Sequence, residues 1–184
     1  FDLTTIAGVR KVFGVIMTIV GVSAGGITMT RFGMKTGLIF GAIVGSFSNM
    51  AYAWLATQGN DVAAFSIALA IDNASAGVAG TVLIAYMSSL ISKGYAAQQY
   101  ALFTSLYALP GKMLASQSGR IVESTARSSD AGGWAMSFRP LFSQLTPESF
   151  AKPAAVLGVS REALGTGYIV FFTYSSVIGI LAII

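Results

Sequence analysis

Charged residues are confined to a few short segments, and long stretches between them hold almost none. Residues 12–30, 36–60 and 163–184 contain no Asp, Glu, Lys or Arg. Residues 62–92 contain only Asp72, and residues 94–119 only Lys112. A helix needs about 20 mainly apolar residues to cross a hydrocarbon layer about 30 Å thick. Each stretch is long enough, and none carries the polar stripe of a helix lying on a soluble core. The pattern predicts an all-α polytopic membrane protein with five spans, at about 6–30, 36–57, 62–92, 98–122 and 163–184. Glycine is frequent inside these stretches, as it is in membrane helices generally.

The connections are short except one. Residues 31–35, 58–61 and 93–97 join the first four spans, so sequential spans are antiparallel neighbours. An extramembrane loop at about 123–162 holds most of the charges, in both signs. Within it Thr146-Pro147-Glu148 has the order of a helix start and predicts a short surface helix near 146–156. Ser160-Arg161-Glu162 is suited to cap the last span. Arg31, Lys35 and Lys93 fall on one side of the membrane and Asp61 on the other, which makes Arg31 and Lys93 cytoplasmic by the positive-inside rule. Arg127, Arg139, Lys152 and Arg161 lie on the opposite side, diluted along the long loop.

Composition narrows the chemistry. Of 184 residues, 54% are hydrophobic and 10% charged, against about 25% charged in a soluble domain. With no His and no Cys, the usual zinc and copper ligands and the thiol nucleophile are missing. The net charge of +4 comes without a basic run, so nucleic acid is not an expected partner. No GxSxG, GxGxxG or Walker pattern occurs, and no close carboxylate pair at helical spacing. The chain is not expected to be an enzyme, nor to hold a cofactor or metal.

The polar residues inside the spans are the candidate functional positions. Asp72, followed by Asn73, lies about a third of the way into the third span. An ionised carboxylate at a helix centre costs about 3 kcal/mol or more, so such a residue faces an aqueous cavity or a cation. Lys112 is mid-span in the fourth, directly after Pro110-Gly111, where a kink is expected. Arg10 and Lys11 are interface anchors if the first span begins at Val12, and lie inside it if it begins near Ile6. Three strips of small residues four apart, Gly21/Gly25, Gly37/Gly41/Gly45 and Gly111/Ala115/Gly119, predict close helix contacts. Tyr52, Trp54 and Tyr168 fit an aromatic belt at the membrane surface.

The first inter-span connection reads Gly26-Ile27-Thr28-Met29-Thr30-Arg31-Phe32-Gly33-Met34-Lys35. It resembles the G-x-x-x-D-R-x-G-R-K loop of the major facilitator superfamily, with Gly26, Arg31, Gly33 and Lys35 matching and Thr30 and Met34 departing. Lys11, Ser48-Asn49 with Tyr52, Asp72-Asn73 before glycines, and Gln99-Tyr100-Ala101-Leu102 are similar to the AmpG-type muropeptide permeases. The long loop at 123–162 departs from that family's short form.

The resemblance implies that the five spans are helices eight to twelve, part of a C-terminal six-helix bundle. It implies secondary active import of anhydromuropeptides across the bacterial inner membrane, in cell-wall recycling, driven by protons. Asp72, Asn73, Lys11 and Lys112 would then serve substrate or proton coupling, and Gly26, Arg31, Gly33 and Lys35 the conformational loop. Expected partners are an amino-sugar peptide, protons, the lipid bilayer and a missing N-terminal half, since Phe1 is not Met and Ile184 ends an apolar run. A carrier of another anionic solute, such as an acyl-coenzyme A, and a non-transporting scaffold subunit are the alternatives.

Overall fold

The computed structural model describes residues 3–91 and 94–181; Lys93, on which part of the orientation rests, lies outside the described residues. The described residues form helices and connections, with no strand. Helix α1 (Leu3–Val9) passes through a π-helical turn (Arg10–Gly14) into α2 (Val15–Gln58). Then come α3 (Val62–Leu90), α4 (Ala96–Asp130), a 3-10 helix (Trp134–Phe142), α5 (Ala151–Leu157) and α6 (Arg161–Leu181).

Three described helices are long and apolar enough to cross a membrane: Ile6–Gln58, Val62–Leu90 and Arg161–Ile180. The first runs 53 residues, about 80 Å if straight, far more than one bilayer. It is two spans. Gly33, at φ 82° and ψ 170°, breaks it in a backbone region that essentially only glycine occupies. The expected five-residue loop is therefore a reversal centred on one residue. A Cβ on Gly37 would lie 2.9 Å from Met29 Cγ, so the two arms meet just beyond the turn.

Both arms pack on α3. Along the first arm Gly14, Gly21 and Gly25 meet Asn73, Ala74 and Val78 in rising order, so that arm and α3 run parallel. Along the second arm Gly37 and Gly41 meet Val82 and Ala79 in falling order, so that pair is antiparallel. The contact is glycine against backbone: a Cβ on Gly77 would fall 2.6 Å from Thr18 O and 2.8 Å from Val22 N. The buried positions here are small or slender, among them Ala53, Ala64, Ala68 and Ser75, while Val12, Ile16, Ile19 and Val20 point outward. That inversion suits helices whose outer solvent is lipid, where close backbone approach replaces hydrophobic drive. The first two small-residue strips thus behave as expected. The third does not, since Gly111 and Gly119 have no neighbour within 4 Å of a built Cβ.

Helix α4 covers the expected fourth span but continues to Asp130, and it is not among the helices apolar enough to cross. Gln98, Gln99, Lys112, Ser116, Gln117 and Arg120 dilute its apolar content. It stays helical through Pro110-Gly111, where a kink was expected. Loss of one backbone hydrogen bond is tolerated inside a long helix. Its first half is largely exposed, and its second half packs on α6 and the 3-10 helix through Val122, Thr125, Ala126 and Ser129.

The segment after α4 is folded into a cap. The 3-10 helix buries Ala135 and Phe142, and Phe142 fills the space left by Gly165. The helix expected at 146–156 begins later, at Ala151. Thr146 and Ser149 close a turn on each other, with Ser149 N donating to Thr146 O at 3.0 Å and their hydroxyls 2.9 Å apart. Phe150 then takes a left-handed conformation (φ 58°) that no helix can include. Ser160 caps α6 through Ala163 N, 3.3 Å from its Oγ. The turn at Gly59 touches Ser149 and Leu145, placing the α2–α3 connection at the same end as the cap and opposite Gly33.

Candidate functional site

Asp72 lies ten residues into α3, about 15 Å along its axis from the cap end. Its carboxylate faces the second arm of α2. Tyr52 Oη donates to Asp72 Oδ2 at 3.0 Å. Ser48 Oγ lies 3.5 Å from Asp72 Oδ1 while also 2.8 Å from Gly45 O. Ser48 and Tyr52 are four residues apart, so one face of the arm presents both hydroxyls to the acid. No Lys or Arg forms an ion pair with Asp72 among the described residues. The carboxylate is half-buried and held by neutral donors.

Asn73 turns to the other arm, as the 100° step of a helix requires. Its Nδ2 donates to Leu69 O at 2.8 Å, and its Oδ1 lies 3.4 Å from Thr18 Oγ1. Thr18 gives its proton to Gly14 O at 2.8 Å. Gly14 is buried at the end of the π-helical turn, beneath the stem of Arg10. The adjacent Asp72 and Asn73 therefore bridge both arms of the α2 hairpin.

The remaining expected site residues are dispersed. Arg10 and Lys11 lie inside the first helix, in the π-helical turn, and are exposed. Lys112 sits on the exposed half of α4 and makes no ion pair with Asp72. Gly26, Arg31, Gly33 and Lys35 surround the hairpin reversal; Gly33 supplies the turn, and Arg31 and Lys35 are exposed without an acidic partner among the described residues.

Two aromatic residues assigned to a surface belt have other roles. Tyr52 holds Asp72 and stacks on Phe172 with ring centres 5.3 Å apart. Phe172 stacks on Tyr168 (6.5 Å), and Tyr168 on Phe150 of the cap (5.6 Å). A ladder of four rings thus joins the intramembrane acid to the cap. The periodicity of polar residues on α2 (Ser48, Tyr52) was the available signal for Tyr52; nothing local marked Phe172. Beside the ladder a cavity of about 360 Å³ opens between α4, α5 and α6, lined by Glu123, Leu157, Leu164, Tyr168 and Phe171 among others.

The cap holds the opposite kind of acid. Asp130 accepts from Ser160 N at 2.7 Å and Ser160 Oγ at 2.6 Å, and pairs with Arg139. Arg139 also donates to Ser160 Oγ (2.7 Å) and to Ser129 Oγ (3.1 Å). Partial burial would push the Asp130 carboxyl up, but the Ser160 hydrogen bonds and the Arg139 guanidinium outweigh it and hold it below the usual carboxylate range.

Comparison with known proteins bears on this arrangement. The chain is 38% identical over 117 residues to the putative transporter AmpG 4 of Rickettsia felis, covering 64% of this chain and 28% of that protein. It is 31% identical over 135 residues to the anhydromuropeptide permease of Escherichia coli K12, covering 73% of this chain and 26% of that protein. The chain is related to the AmpG-type permeases. It is also 34% identical over 119 residues to the putative transporter AmpG 3 of Rickettsia prowazekii. It spans under a third of the length of these curated relatives, which are named transporters and permeases rather than enzymes. No protein-family profile and no solved structure matches it. With its apolar helices, the kinship makes this part of a multi-pass membrane protein, in agreement with the resemblance of the motif loop.

Proposed function

We propose that the protein carrying this chain imports anhydromuropeptides across the bacterial inner membrane, coupled to protons, with Asp72 as the coupling carboxylate. The observation that carries this is the carboxylate itself: it lies within a membrane span, half-buried, and is held by Tyr52 and Ser48 with no cation in ion-pair contact among the described residues. A purely structural intramembrane acid would be neutralised by a partner, because an uncompensated charge there is costly. An acid held by hydroxyls can be neutralised by a proton instead. Asn73 supplies the neutral polar contact beside it. Lys11 and Lys112, both exposed, serve anionic groups of the substrate. The Gly33 reversal with Arg31 and Lys35 is the cytoplasmic turn about which the two arms rock, which places the cap on the periplasmic side.

The test is uptake of labelled anhydromuropeptide into proteoliposomes of the full-length protein, with and without an imposed pH gradient. The wild type concentrates the label only with the gradient, and Asp72→Asn reduces this by about 100-fold or more at normal expression. Undiminished gradient-driven uptake by the Asn variant removes Asp72 from the mechanism.

A further inference from the structure

The π-helical turn at Arg10–Gly14 interrupts an otherwise α-helical first arm, about one turn from the start of the apolar helix at Ile6. Such turns are rare and occur mostly at functional sites, where the extra residue redirects side chains. Here it brings Arg10 over Gly14. A Cβ on Gly14 would lie 3.8 Å from Arg10 Cγ on one side and 3.6 Å from Asn73 Oδ1 on the other. The width of one glycine separates the arginine stem from the asparagine. The guanidinium is also close enough to Tyr52 to act on it electrostatically, and Tyr52 holds Asp72. Arg10 remains exposed, and it forms no ion pair with Asp72 or any other acid among the described residues.

These features describe a cation held one glycine away from Asn73, the neighbour of Asp72, and without an acidic partner among the described residues. A guanidinium presents five N–H donors in a planar fork that matches a carboxylate, which the point charge of a lysine does not. We propose that Arg10 is the anion-binding residue of the Asp72 site, taking a carboxylate of the transported solute in the space over Gly14, with Asn73 contacting the same solute from α3. This rests on the transporter reading, and it adds to Lys11 and Lys112 a cation that the fold places next to Asn73.

The experiment compares two probes in proteoliposomes of the full-length protein: labelled N-acetylglucosaminyl-anhydro-N-acetylmuramyl tripeptide, and the same compound with its carboxylates methylated. Arg10→Gln is expected to raise KM for the acid roughly 10- to 100-fold, the worth of a charge-assisted bidentate contact. Its KM for the ester should match the wild type's. Arg10→Lys should fall between, keeping the charge and losing the fork. An unchanged acid-to-ester ratio in Arg10→Gln overturns the proposal. Should that variant not fold, Arg10→Lys carries the same comparison with the same criterion. A wild type that moves neither probe overturns the transport reading, and this one with it.

Discussion

Asp130 in the cap and Asp72 in the membrane are the same side chain in two opposed settings. Asp130 receives an amide, a hydroxyl and a guanidinium, which pin the end of α4 to the start of α6. Asp72 receives one hydroxyl at 3.0 Å, and a second lies 3.5 Å away with its proton nearer to Gly45 O. A carboxylate has about four acceptor positions. Asp130 has its charge compensated and is fixed; Asp72 has spare capacity and no compensating ion pair among the described residues. Burial alone does not separate the two acids, and the difference lies in which donors surround each of them.

Their packing differs in parallel. The α2–α3 contact is built from Gly21, Gly25, Gly41 and Gly77 against backbone. The cap is built from large side chains, with Phe142 and Leu164 fully buried. Next to water, apolar area drives burial. Between membrane helices it does not, and only close approach is left.

Several substitutions sharpen or break this contrast. The largest effect is expected from Asp72→Asn set beside Asp130→Asn: the first removes gradient-driven uptake, the second leaves uptake within a few-fold and loosens the cap. If Asp130→Asn abolishes transport as fully as Asp72→Asn, the division into fixed and working acids is wrong. Next, Gly77→Leu should cost about 3 kcal/mol or more through overpacking, seen as loss of folded protein in detergent. Gly119→Leu, on the unpacked strip of α4, should stay within about 0.5 kcal/mol.

Tyr52→Phe keeps the stack on Phe172 and removes the donor to Asp72. Uptake should fall about ten-fold, with thermal stability lowered by no more than about 1.5 kcal/mol, the usual worth of one hydrogen bond. Wild-type uptake by this variant would break the link between ladder and acid.

The smallest effect concerns pH. Asp130 is depressed in the folded state, so its contribution is present above the unfolded carboxylate range and is lost as pH falls through the lower folded value. Acidification below about pH 4 should therefore loosen the cap by about 1 kcal/mol. Limited proteolysis between residues 131 and 159 reads this out, and Asp130→Asn should abolish the pH dependence.

Much of this protein was written in local sequence. Long runs with at most one charge marked three of the described helices that are long and apolar enough to cross a membrane, because hydrocarbon cannot solvate a charge. Gly33 determined the hairpin, since few residues other than glycine tolerate its backbone angles. Asp72 and Asn73 stood out as polar side chains where polarity is costly. Tertiary structure decided the rest. Tyr52 read as a surface anchor until α3 brought Asp72 within 3.0 Å of its hydroxyl. Arg10 could not be told from an interface anchor until the π-helical turn set it over Gly14. Lys112, prominent in sequence, did not pair with Asp72. The reason is range: solvation and backbone sterics act residue by residue, whereas a hydrogen bond between residues 52 and 72 exists only once two helices have packed.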